Sequence, residues 1–133
     1  MKKLSIIVFT ILMTFTSCSN DDDTTQEEDT AKLSKMHAEL VTLSGQETHT
    51  CTNPDEWAYT SIVTTCGGQF MLYSKKANTE LFLKKVEQYN KSSQAYVEKW
   101  KVYCAFFSVL PAEPVGIGCV EGKARILYHQ ALH

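Results

Sequence analysis

The chain has 133 residues, 44% of them hydrophobic and 21% charged, with 13 basic groups against 15 acidic ones. That length supports one domain plus an attachment and leaves no room for a second core. A formal charge of −2, with no basic stripe interleaved with aromatics, excludes the electrostatic footprint usual for a nucleic-acid binder.

Met1-Lys2-Lys3 is basic, Leu4 to Phe15 is apolar apart from Ser5, Thr10 and Thr14, and Thr16-Ser17 supply small residues ahead of Cys18. This is the pattern of a cleaved export signal. As a membrane span it is too short, because about 20 apolar residues are needed to cross the hydrocarbon core. Phe15-Thr16-Ser17-Cys18 resembles the lipobox of bacterial lipoproteins, with Phe15 standing where that family usually has Leu, Val or Ile. The resemblance implies removal of residues 1–17 and acylation of Cys18. Cys18-Ser19-Asn20-Asp21-Asp22-Asp23 also resembles the start of Bacteroidetes lipoproteins, in which a serine and an acidic cluster direct export to the outer face of the outer membrane. This second resemblance implies a membrane partner reached through lipid, at the cell surface or, as the alternative, on the periplasmic face. An incidental Cys18 thiol on a plainly secreted chain, and an acidic run that only extends a spacer, are the plainer readings.

Ser19 to Thr30 contains no large apolar residue and is half carboxylate, so residues 18–31 read as a disordered tether. With that tether and the leader set aside, residues 32–133 hold 11 basic and 9 acidic groups. Leu33, Met36, Leu40 and Leu43 repeat at helical spacing ahead of Gly45, so residues 32–47 hold a short amphipathic helix or an extension of the stalk. Val41 widens its apolar face and favours docking on the succeeding domain, residues 48–133.

Cys51, Cys66, Cys104 and Cys119 are an even number in an exported chain, which argues for two disulfides. Three pairings are possible; the equal separations of fifteen residues favour Cys51–Cys66 with Cys104–Cys119. A zinc site is the rival, but no close C-x-x-C pair occurs. Asn53-Pro54-Asp55 is turn chemistry, and Trp57 to Thr64 is rich in aromatic and β-branched residues. With Gln69 to Ser74 as the second strand, residues 57–74 predict an antiparallel hairpin with Cys66 at its bend and Gly67-Gly68 as turn residues. Asn78 caps the main helix, on which Phe82, Val86, Tyr89, Ser93, Tyr96 and Trp100 alternate at spacings of four and three. Asn90-Lys91-Ser92-Ser93 are poor helix formers at which it could divide.

Val102 to Leu110 is uniformly apolar and predicts a central buried strand. After Pro111-Ala112-Glu113-Pro114, residues 115–120 and 124–129 predict a last hairpin turning at Glu121-Gly122-Lys123. The expected fold is therefore α+β: an antiparallel sheet of about five strands packed on one long helix, braced by two disulfides. Trp57, Cys66-Gly67-Gly68, Trp100, Cys104 and Cys119 resemble the spacings of small flavobacterial lipoprotein domains, a resemblance that brings no site residues with it.

No catalytic set stands out. His49 near Cys51 suggests a thiol nucleophile and its base, but oxidation of Cys51 is favoured in an exported chain. His129 and His133 are four apart, as metal ligands on a helical turn would be, yet a frayed terminus is the commoner outcome. Asp55 and Glu56 are adjacent and diverge, which suits a turn better than paired acid and base work. One segment invites a functional reading: Phe106 to Ile117 as a proline-stiffened loop with Cys104–Cys119 at its base. It would present Leu110, with Pro111, Glu113 and Pro114 beside it, to a protein partner. The plainer reading is a simple connection. The sequence thus points to a lipid-anchored binding module, a hydrolase inhibitor or adhesion factor, with no cofactor, no metal and no catalysis. An envelope assembly lipoprotein packed on a membrane partner is the alternative.

Overall fold

The computed structural model describes residues 24–105 and 112–129. The leader, Cys18, Leu110, Pro111 and His133 lie outside those residues.

Helix α1 spans Gln26–Ser44 and begins earlier than its apolar pattern predicts. The Thr25 hydroxyl accepts from the Glu28 N–H at 3.2 Å while the Thr25 N–H donates to Glu28 Oε2 at 2.8 Å. This reciprocal pair fills two of the N–H valences that a helix start leaves open, and Glu27, Glu28 and Asp29 sit favourably at the positive end of the helix dipole. Residues 26–31, expected in the tether, are therefore helix. Gly45, at φ 72°, ends it with its N–H donating to Thr42 O. A Cβ there would stand 2.7 Å from His49 Nδ1, so glycine is required by space as well as by backbone conformation.

Strands β1 (Trp57–Thr64) and β2 (Gly67–Ser74) pair antiparallel, from Trp57 opposite Ser74 to Thr64 opposite Gly67. The predicted hairpin is present with Cys66 in its turn, and Gly67 at φ 130° takes the conformation that the turn needs. Helix α2 (Thr79–Trp100) starts at Asn78, whose side chain accepts from the Leu81 N–H at 3.1 Å, and runs unbroken through Asn90-Lys91-Ser92-Ser93. Those poor helix formers are held by tertiary contacts: Asn90 Oδ1 accepts the Val63 N–H at 2.8 Å, and Ser93 is fully buried. Leu33 and Leu40 of α1 pack with Ile62, Met71, Phe82, Val86 and Tyr89, so α1 docks and two helices, not one, cover the first hairpin. Burying a leucine as fully as Leu40 (1% exposed) contributes about 1.5–3 kcal/mol.

The expected central strand is absent from residues 102–105. Tyr103 is 88% exposed, and the Val102 N–H returns to Val97 O beneath Lys101, which is left-handed at φ 48°; residues 106–110 lie outside those described. Strands β3 (Pro114–Val120) and β4 (Lys123–Tyr128) form a second hairpin. Glu121 (φ 50°) and Gly122 (φ 75°) make its two-residue turn, and the register shifts between Pro114 and Gly116. Lys123, expected in the turn, is already strand. Among the described residues the fold is α+β with two separate two-stranded sheets, instead of one sheet of five strands.

The disulfides are Cys51–Cys119 and Cys66–Cys104. The pairing favoured by spacing is wrong for a geometric reason. Cys51 precedes β1 and Cys66 follows it, and eight extended residues put about 26 Å between strand ends. A disulfide tolerates only about 7 Å between Cα atoms. Cys51 is instead beside the β3–β4 turn, where its N–H donates to Gly122 O at 2.8 Å. The bridges are nested, with the 66–104 loop inside the 51–119 loop.

Candidate functional site

The residues singled out from sequence do not assemble into one site. Cys51 is oxidised and buried, and His49 turns back onto the end of α1, with Nδ1 3.3 Å from Gly45 O and 3.1 Å from Thr48 Oγ1. No thiol is left for that imidazole to activate. Asp55 and Glu56 lie in a short 3-10 turn, Pro54–Glu56, where the Asn53 side chain accepts the Asp55 N–H and Glu56 pairs with Lys76 at 2.7 Å. Glu113 is exposed and Pro114 opens β3. The loop they were to flank is not based on a Cys104–Cys119 bridge, because neither cysteine bonds the other. Among the described residues, no group of three or more His, Cys, Asp or Glu side chains is arranged to hold a metal ion.

The structure brings together a different set. Gln26, Thr30, Ser34 and His37 succeed one another along α1 at spacings of four, four and three, so they share one face of the helix. They form one wall of a groove of about 390 Å³. Thr64 and Thr65 at the hairpin turn, with Val102 beyond α2, form the other. Tyr89, Tyr96 and the nearly buried Leu33 lie between the walls. None of these residues is Asp, Glu, Lys or Arg, in a chain that is 21% charged. The groove sits at the low end of the volumes that bind small molecules.

Its polar groups are partly fixed in place. Thr30 donates its hydroxyl proton to Gln26 O at 2.7 Å. The Tyr96 hydroxyl, 2.9 Å from Thr30 Oγ1, therefore donates to Thr30 while accepting from Gln26 Nε2 at 3.2 Å. The Tyr89 ring packs on His37 at 5.8 Å, and burial pushes the Tyr89 phenol pKa up. The Ser34 and Thr65 hydroxyls and the His37 ring nitrogens make no hydrogen bond to other described side chains or backbone, and so remain able to bond a ligand. No family model, curated protein or solved structure matches the chain.

Next to the groove, beyond Leu33 and Tyr96, the side chains satisfy one another. Asp29 pairs with Lys99 at 2.9 Å, accepts from Trp100 Nε1 at 3.0 Å and accepts from Thr24 Oγ1 at 3.0 Å. The hydrogen bond from Lys99, then that from Trp100, holds the Asp29 carboxyl below the usual carboxylate range. Lys99 also lies 4.9 Å from the centre of the Trp100 ring. This cluster clasps the first turn of α1 to the last turn of α2. It fixes Gln26 and Thr30 relative to Tyr96, and so sets the width of the groove.

Sequence reasoning passed over the groove because it tracked the apolar stripe. The signal was present beside it: Gln26, Thr30 and Ser34 are uncharged residues at regular helical spacing in a segment otherwise crowded with Glu, Asp and Lys.

Proposed function

We propose that the chain is a lipid-anchored envelope protein, acylated at Cys18, that binds a ligand without catalysis through the uncharged groove between α1, α2 and the first hairpin turn. The groove carries this reading: it is preformed, its α1 wall is locked to α2 by Asp29 and Lys99, and it keeps polar groups unused. Two disulfides support an oxidising compartment, and the leader residues support export. Among the described residues no helix is long and apolar enough to cross a membrane. From Ser19 to the helix cap at Thr25 the chain can reach at most about 23 Å, which would hold the groove close to the anchoring surface. Display on the outer face is the expected arrangement.

The test has two parts. Labelled palmitate should enter the native chain and not Cys18→Ala, which should leave the membrane fraction. A membrane-impermeant amine reagent applied to intact cells should label the native chain, and failure to label before lysis would move it to the periplasmic face.

An assembly role is favoured by one observation. Val115, Val120, Leu127 and Tyr128 on the second hairpin are 42–52% exposed, which is apolar surface that an envelope partner would cover. Recovery of a stable complex after crosslinking through that hairpin, and not through α1, would favour this second role.

A further inference from the structure

We infer that the groove binds a neutral saccharide, a short run of uncharged sugar units held against Tyr96 between the hydroxyl-bearing wall of α1 and the hairpin turn. This deepens the binding role proposed above and depends on the groove being the binding surface. The argument is one of chemical matching. A ligand with a net charge would find no carboxylate, ammonium or guanidinium here to pair with, since no Asp, Glu, Lys or Arg lines the groove. An apolar ligand would desolvate the hydroxyls of Ser34 and Thr65 and the His37 ring without returning hydrogen bonds. An extended peptide would need a free strand edge, and at Val63 the edge of β1 is already taken by Asn90.

A neutral sugar meets all three conditions. Its hydroxyls both donate and accept, matching side-chain hydroxyls, the Gln26 amide and imidazole nitrogens whichever way each is oriented. Its C–H face is apolar enough to lie on an aromatic ring whose polar tip is hydrogen-bonded elsewhere, and Tyr96 is half-buried with its hydroxyl tied to Gln26 and Thr30. The groove is already shaped, so little side-chain ordering opposes binding.

The test uses the full chain, isotope-labelled, in a zwitterionic detergent that contains no sugar headgroup. Amide spectra are recorded as neutral oligosaccharides of glucose, galactose, mannose and N-acetylglucosamine are added to about 20 mM, a concentration that detects millimolar dissociation constants. At least one should shift the amides of residues 26–37, 64–65 and 89–96 saturably. Tyr96→Ala should weaken that binding about tenfold or more, as loss of a central aromatic contact does. Because Tyr96→Ala removes part of the packing, Ser34→Trp provides the second variant: it fills the groove from an exposed helix position and should abolish the shifts. Lys123→Gln, on the second hairpin, should leave them unchanged. A charged uronic-acid oligomer that binds as well as every neutral sugar would overturn the assignment, as would retention of binding by Ser34→Trp. If a pool of short peptides moves the groove amides and no sugar does, the saccharide assignment falls while the groove remains a binding site. If neither moves them, both fall.

Discussion

Nested bridges make a quantitative prediction that side-by-side bridges do not. In the chain-entropy treatment, closing the 38-residue separation between Cys66 and Cys104 alone contributes about 3.9 kcal/mol, and the 68-residue separation between Cys51 and Cys119 alone about 4.4 kcal/mol. Once the inner bridge exists, the outer one closes an effective path of only about 30 residues, contributing about 3.7 kcal/mol. The two together then contribute about 7.6 kcal/mol, so removing the inner bridge from the native protein costs about 3.2 kcal/mol. Cys66→Ala/Cys104→Ala should therefore be destabilised by about 3.2 kcal/mol and Cys51→Ala/Cys119→Ala by about 3.7 kcal/mol in urea unfolding, with the bridge-free chain losing about 0.7 kcal/mol more than their sum. Two adjacent fifteen-residue loops would give two equal losses of about 3 kcal/mol that simply add. A single substitution makes the same distinction chemically. In Cys51→Ala the thiol released for alkylation should be Cys119, and labelling of Cys66 in its place would refute the connectivity and the fold that rests on it.

Thr25→Ala removes the hydroxyl that caps α1 and should lower stability by about 1 kcal/mol, read as a reduced urea midpoint at unchanged slope. Ser93→Ala should do the opposite, raising stability by about 1 kcal/mol, because the buried Ser93 hydroxyl has no hydrogen-bond partner and alanine is the better helix former. The clasp at Asp29 should open in acid. Since the folded-state pKa of Asp29 is depressed, its contribution is present at neutral pH and is lost as pH falls through that lowered value. The indole N–H resonance of Trp100 should thus titrate with a midpoint below that of a free aspartate, and a midpoint at or above it would remove the clasp from the account.

The elements whose formation depends on neighbours in the chain were legible in the sequence. The main helix, its Asn78 cap and both hairpins arise from apolar periodicity and turn residues, and the structure has them within a residue or two of the expected bounds. What failed depended on distant partners or on a competing local signal. Residues 26–31 look like solvated spacer by composition, yet Thr25 and Glu28 cap each other and Asp29 finds Lys99 some seventy residues away. Residues 102–105 are apolar enough for a strand, but Lys101 in a left-handed conformation turns the chain out of α2 and the Cys66–Cys104 bond ties it to the β1–β2 turn. Cysteine spacing alone cannot register that β1 is a rigid spacer between Cys51 and Cys66. The groove was half legible: its α1 wall is a periodic pattern, whereas Thr64, Thr65 and Val102 join it only through the tertiary fold.

The cross-linking pattern also decides what happens when the backbone is nicked. Any single cut between Cys51 and Cys119 leaves the product in one covalent piece, and a cut between Cys66 and Cys104 leaves its halves joined twice. After such damage the segment ahead of Cys51 and the far hairpin stay on the same molecule, and fragments are released only when a reductant is also present.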